Sequence, residues 1–482
     1  MFLKNFFVHL VFIFSIASSL FAQQAVFDFS DDAILNRLKK DQSMLASDSF
    51  MGRKAGTAGE IMARDYIVNQ FTGMGIKPYF GDTTFLQPFY CRGSIDYGAE
   101  NNLMINNLTF KLKYDFYPLS LSASKIVSGE LIKTGYGIYA PDKGFDSYKN
   151  LSDLKGKIFV IDLSFPDNFK FDTTNSKYAG IKSRVKAAVE RGAVGIIFIN
   201  TDKNFKNPPK QLYQVRDTTT IPVIFATGKA FKLILDGTKC KAKMQVSLNR
   251  NAISTCFNIA GYIDNKAQTT VVVGGHYDHL GMGGEGSRYT GPPAIHNGAD
   301  DNASGTTGML ELARYFLKSD KKNNNYIFIG FSAEEEGLIG SSSFVNSDAF
   351  KKANVNFMIN LDMIGRLRKN VILFGTGTSP AWKKAIKKAN GKQLKIKKIK
   401  SGFGGSDHQS FIDKGIPAVF VFTGLHSDYH TPTDKIEKIN FEGETKIVKF
   451  VEQLIETMDN KGNITFTQPS FLQMLQGIRY FL

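Results

Sequence analysis

Six histidines follow residue 275: His276, His279, His296, His408, His426 and His430. None lies between Gln23 and Gly275. Histidine is the usual proton shuttle near neutral pH and the commonest metal ligand, so chemistry that needs it belongs to the second half of the chain. Carboxylates accompany these imidazoles in five short segments: Gly274-Gly275-His276-Tyr277-Asp278, Gly298-Ala299-Asp300-Asp301-Asn302, Ala333-Glu334-Glu335-Glu336-Gly337, Asn360-Leu361-Asp362-Met363 and Tyr429-His430-Thr431-Pro432. Imidazole and carboxylate ligands without thiolates suit a catalytic zinc, which keeps a position open for water. Two such ions ~3.5–4 Å apart need a shared carboxylate and can hold a bridging hydroxide. Four terminal ligands and one bridge would serve both, and the five segments supply that number.

The elements that carry these segments alternate. Strands are expected at 270–274, 325–331, 355–361 and 416–422, each followed by a histidine or carboxylate. Helices are expected at 303–318 and 380–390 and near the C-terminus, where Ile447, Val451, Leu454, Ile455 and Met458 recur at helical spacing. Alternation of this kind predicts an α/β fold with a mostly parallel sheet flanked by helices. Ligand sites in such sheets lie beyond the carboxyl ends of the strands, where these residues fall. Residues 31–80 read as helical, with Thr57 and Glu60 as a capping box. Between 105 and 255 short β-rich runs at 157–162, 193–200 and 221–226 and a helix at 181–190 form a smaller β-rich α/β insertion without histidine. The expected division is a signal peptide at 1–22, an N-terminal part of the main domain at 23–104, the insertion at 105–255 and the rest of the main domain at 256–482.

These segments resemble the co-catalytic di-zinc aminopeptidases of the bacterial leucyl aminopeptidase type, within the zinc peptidase clan MH that also holds glutamate carboxypeptidases. The likeness covers residues 28–57, with LASDSFMGRKAG at 45–56, and resumes from about 258 to the final helix. It implies a zinc-peptidase fold (phosphorylase/hydrolase-like) with two zinc ions per chain. His276 and Glu335 would complete one site, Asp362 and His430 the other, and Asp300 would bridge them across a cis Asp300–Asp301 peptide. Glu334 would be the general base. Asp278 would support His276, Tyr429 would be a candidate oxyanion donor, and Asp407 and His408 would lie near the site without ligating. His279, His296 and His426 are expected to line the cleft or meet local hydrogen bonds, and Glu336 to face solvent. The insertion resembles a protease-associated (PA) domain. The activity implied is hydrolysis of N-terminal residues from peptides with a free amine. A carboxypeptidase or other amidohydrolase, a glutaminyl cyclase-like transferase and a non-catalytic receptor-like protein are the alternatives; filled ligand positions argue against the last two.

Composition fits this reading. The chain has 482 residues, 43% hydrophobic and 22% charged, enough for a folded protein of two or three domains. Lys4, the apolar run at 6–20 and Ala22 predict a cleaved secretory signal, export to a periplasm or the medium, and no stable membrane anchor afterwards. Three cysteines allow at most one internal disulfide, and a Cys240–Cys256 bridge or buried free thiols are both open. The net charge of +16 includes nine lysines between Lys383 and Lys400. No base-reading motif accompanies them, so nucleic acid is not an expected partner.

Overall fold

The computed structural model describes residues 27–470 and 473, apart from 82, 94, 167–175, 204, 206, 211, 213, 214, 216, 217, 237–239, 251, 252, 290 and 292. The expected signal peptide lies outside the described residues.

Near-continuous apolar runs mark strands that are covered on both faces. Four of them, β4 (Thr270–His276), β5 (Asn325–Phe331), β6 (Val355–Leu361) and β9 (Ala418–Phe422), form the parallel centre of a nine-stranded sheet in the order β5-β4-β6-β9. Antiparallel pairings extend both edges: β3 (Ile253–Ile263) joins β5, β1 (Lys77–Pro78) and β2 (Leu86–Arg92) join β3, and β7 (Val371–Phe374) joins β9; β8 (Ile396–Lys398) then pairs with β7 in parallel.

Alternate residues of each strand feed two cores. Val271, Val273, Phe328 and Ile359 meet helices α1 (Asp31–Leu45), α2 (Ala58–Met74), α4 (Gly305–Lys318) and α5 (Phe441–Asp459). Val272, Ile327, Ile329 and Met358 face the other way, against Phe344, Phe411 and Ile412. Gly75, at φ 77°, ends α2 in the left-handed conformation that glycine tolerates. The expected capping box does not form. Thr57 Oγ1 donates to the Lys54 carbonyl at 2.6 Å instead, and Glu60 turns inward to accept from Gly56 N at 2.7 Å and Tyr277 Oη at 3.0 Å.

The second sheet has eight strands, from Asn102–Ile105 to Lys241–Val246, with a parallel centre made by Lys125–Lys133, Ile158–Asp162, Gly195–Ile199 and Val223–Ala226. Helix α3 (Ile181–Glu190) packs Val185 and Ala188 on one face. The chain enters and leaves this unit along β2 and β3, which Cys91 and Cys256 join in a disulfide with Cα atoms 5.9 Å apart. The cysteine left over is Cys240, buried and unbridged, so the Cys240–Cys256 alternative does not hold.

Candidate active site

The chain gathers its imidazoles and carboxylates at one rim of the sheet. His276 is the last residue of β4. Glu334 and Glu335 follow β5, Asp362 follows β6, and the loop after β9 brings His430. Asp301 arrives on the turn that leads into α4. Close approach of these elements depends on two glycines. A Cβ on Gly275 would stand 2.5 Å from the Leu361 carbonyl oxygen, and one on Gly305 would stand 2.1 Å from the same atom. Any side chain there would push β4 or α4 away from β6 and open the cluster. Ala333, Met363 and His430 hold positive φ of 55°, 53° and 56°. Such backbone is uncommon outside glycine and concentrates at functional sites.

The distances divide the cluster into two halves about one carboxylate. His276 Nε2 lies 3.4 Å from Asp301 Oδ1 and 3.5 Å from Asp362 Oδ1. His430 Nε2 lies 3.1 Å from Asp301 Oδ2 and 3.2 Å from Glu335 Oε2. Asp301 Oδ2 and Asp362 Oδ1 are nevertheless buried without a hydrogen bond of acceptable geometry among the described residues. Ring nitrogens and carboxylate oxygens that converge without donating to one another are arranged as ligands of common ions. The donor set, nitrogen and oxygen without sulfur, fits zinc. On this test the residues present fit a pair of metal ions.

Three expectations are corrected here. The carboxylate between the imidazoles belongs to Asp301, not Asp300. Asp300 is engaged elsewhere: Oδ1 accepts from Gly365 N at 2.7 Å and Ser304 Oγ at 3.1 Å, and Oδ2 lies 3.1 Å from His426 Nε2. The cis peptide likewise falls one residue later, at Asp301–Asn302. The pairing also changes. Asp362 stands with His276, and Glu335 with His430, because β6 neighbours β4 in the sheet while Glu335 reaches past the end of β5 toward the His430 loop.

Glu334 lies at the mouth of the first half, with Oε2 3.9 Å from His276 Nε2. Burial pushes its carboxyl well above the ordinary range, against the pull of His276. Burial also raises Glu335, but His430 and His279 overcome it and hold the group down at about 2. Adjacent carboxyls pushed apart in this way suit different tasks, the one holding a proton more readily than the other. Tyr429 stacks on His430 with ring centroids 3.7 Å apart, and burial with nearby carboxylates keeps its hydroxyl protonated. Asp407 and His408 are fully buried outside the ligand cluster; burial raises the first to about 7 and lowers the second to about 3. Glu336 does not face solvent. It accepts from Arg92 N at 3.0 Å, sits 3.8 Å from Lys54 Nζ, and burial raises it to about 7.

Several residues that the sequence did not single out hold the site together. Arg53 is completely buried and donates to four carbonyls: Tyr277 at 2.9 Å, Leu45 at 2.5 Å, Asn297 at 2.7 Å and Gly298 at 3.0 Å. It thereby fastens the segment after His276 to the segment before Asp301. Asp434 Oδ2 accepts from the backbone of both Asp300 and Asp301, at 2.9 and 3.0 Å. Ser406 Oγ donates to Asp362 Oδ2 at 2.7 Å. His276 Nδ1 stands 3.1 Å from the carbonyl of Asp278 and 3.6 Å from its Oδ1, and that same Oδ1 accepts from Glu334 N at 3.1 Å. His430 Nδ1 donates to the Gly286 carbonyl at 2.8 Å, which turns Nε2 toward the carboxylates. Arg53 lies inside the 45–56 run that carries part of the family likeness, and that was its available signal.

A cavity of about 320 Å³ opens on these groups. Leu338, Met363, Phe420, Phe422, Leu425 and Tyr429 make its apolar wall. An apolar pocket with a few convergent polar groups at one end is the usual form of a small-ligand site.

Residues 258–455 match the model of peptidase family M28. They are an M28 peptidase domain. Residues 127–234 match the PA domain, which places it within the second sheet, as the likeness in sequence implied. Leucine aminopeptidase 1 of Pyrenophora teres f. teres (strain 0-1) is 31% identical over 207 residues, 38% of this chain and 51% of that protein. Aminopeptidase YwaD of Bacillus subtilis (strain 168) is 26% identical over 364 residues, 70% of this chain and 75% of that protein. The chain spans about half the length of the leucine aminopeptidases it matches. Among solved structures, BSAP, a zinc aminopeptidase from Bacillus subtilis, aligns over 92% of this chain and 100% of its own at 22% identity, with a TM-score of 0.48.

Proposed function

We propose that this chain is an exported di-zinc aminopeptidase that removes N-terminal amino acids from peptides. One observation carries the reading: the two oxygens of Asp301 face two separate groups, His276 with Asp362 and His430 with Glu335. His276, Asp362 and Asp301 would hold one ion, and Glu335, His430 and Asp301 the other. Bound zinc lowers the pKa of water toward neutrality and polarises a scissile carbonyl. Glu334 stands beside His276 and Asp362, close enough to share an ion with them, and in this reading takes a proton from the attacking water and returns it to the leaving amine. The Tyr429 hydroxyl, kept protonated by burial, would be the donor to the oxygen of the scissile carbonyl.

The side wall supports the substrate class. Met363, Phe420, Phe422 and Leu425 suit an apolar side chain on the residue to be removed. This agrees with the names of the relatives, several of them leucine aminopeptidases. Export is supported by the apolar run behind Lys4 and by the Cys91–Cys256 disulfide, which persists in oxidising compartments. No helix among the described residues is long and apolar enough to cross a membrane.

The test compares wild type with Glu334→Gln for bound zinc and for hydrolysis of leucine p-nitroanilide, N-acylated peptides and C-terminally blocked peptides. The expected result is two zinc ions in both proteins, activity only on free N-termini, and a loss of ~100-fold or more in the variant. Unchanged turnover would remove Glu334 from the mechanism. Cleavage of N-acylated peptides would point to a carboxypeptidase or another amidohydrolase.

A further inference from the structure

Three residues after His276, a third imidazole enters the cluster. His279 is buried, and its ring lies 5.8 Å from that of His430 and 6.5 Å from that of His296, centroid to centroid. Its backbone N–H donates to the Arg53 carbonyl at 3.2 Å, so the brace that orders the site also fixes this residue. The side chain makes one short contact, Nδ1 to Glu335 Oε1 at 2.7 Å. Its Nε2 is buried with no hydrogen-bond partner among the described residues. A carboxylate that holds a metal ion can only accept, so in the two-zinc reading Nδ1 carries the hydrogen of this contact.

This contact divides the work of the Glu335 carboxylate. Oε1 accepts from His279, and Oε2 faces His430 Nε2 at 3.2 Å. A carboxylate left unrestrained can rotate and offer either oxygen or both to an ion, and a hydrogen bond to one oxygen removes that freedom. The other half of the cluster has a different arrangement: the free oxygen of Asp362 is held by a neutral hydroxyl, Ser406 Oγ at 2.7 Å. The two halves thus rely on separate supports.

We propose that His279 is a positioning residue for the Glu335–His430 half alone, holding Oε1 so that Glu335 presents a single oxygen, Oε2, to its ion. The inference rests on the two-zinc reading given above. Disturbing His279 weakens one zinc site and spares the other.

The experiment titrates metal-stripped full-length protein with zinc against a chromophoric chelator, a readout independent of turnover. Two variants of similar size and polarity are compared. His279→Asn places an amide nitrogen where Nδ1 stands, and His279→Gln places it one carbon further out. Supporting contacts around a metal typically contribute 10- to 100-fold in affinity. The expected result is that His279→Gln weakens one of two zinc ions by that factor and leaves the second unchanged, while His279→Asn stays within about threefold of wild type at both. Melting curves of the metal-free proteins check that both fold, and a Gln variant that melts with wild type yet loses one ion supports the assignment. Equal behaviour of Asn and Gln, or equal weakening of both ions, overturns it. A wild type that binds fewer than two zinc ions would instead sink the function on which the inference rests, so the two failures are distinct.

Discussion

Replacing Asp301 with Asn should release zinc, while the same change at its neighbour Asp300 should not. Asp301 stands 3.4 Å from one imidazole and 3.1 Å from the other, one oxygen toward each. Zinc bound by a full set of protein ligands is held by about 10–16 kcal/mol, so each of a few ligands accounts for roughly 3–5 kcal/mol. An amide can offer its one oxygen to a single ion and turns an NH2 toward the second. At least one ion then loses a ligand and the shared negative charge, a weakening of about 100- to 1,000-fold or more. Asp300 meets different partners, Gly365 N and Ser304 Oγ through one oxygen and His426 through the other. An asparagine keeps the first pair and disturbs the third, a loss of about 1–2 kcal/mol of stability with both ions retained. Zinc analysis after dialysis against a weak chelator, with thermal melts beside it, separates the two outcomes. If Asp300→Asn empties the site and Asp301→Asn holds two ions, the geometry deduced for the bridge is wrong.

Two further outcomes concern the scaffold. Converting Cys91 and Cys256 to serine opens a loop with a sequence separation of 165 residues. Chain entropy assigns such a closure about 5 kcal/mol, so the double variant should melt well below wild type, and an unchanged melting temperature would show that the bridge contributes nothing. Burial pushes the Glu452 carboxyl up to about 8. The folded state therefore binds this proton more tightly than the unfolded chain, and the stabilisation is complete below the ordinary glutamate value and lost as pH rises through about 8. Stability should fall by about 1.4 kcal/mol per pH unit from this group across that window, and Glu452→Gln should flatten the slope; an equal slope in both proteins would refute the assignment.

Much of the candidate site was legible in the residue pattern because strand ends are legible. The apolar runs at 325–331 and 355–361 match the observed strands residue for residue, and the groups that follow them meet at one rim. The choice between Asp300 and Asp301 was not legible. Adjacent side chains on a sharp turn point in different directions, and nothing in two consecutive aspartates says which direction is inward. The disulfide escaped for another reason: Cys91 and Cys256 become neighbours only once β2 pairs with β3, across the whole insertion. Arg53 was invisible as a site component because its partners are backbone carbonyls, which leave no trace in side-chain identity. Glu60 is a further case. Its position reads as part of a helix cap, and the tertiary contact with Tyr277 redirects it.

The bridge between Cys91 and Cys256 closes the doorway through which the chain passes into the PA-containing unit and returns. A protease that nicks a surface loop anywhere inside that unit therefore cannot set the two halves of the molecule adrift. The pieces stay covalently joined, the M28 domain keeps its N-terminal helices alongside, and separation waits for a reductant.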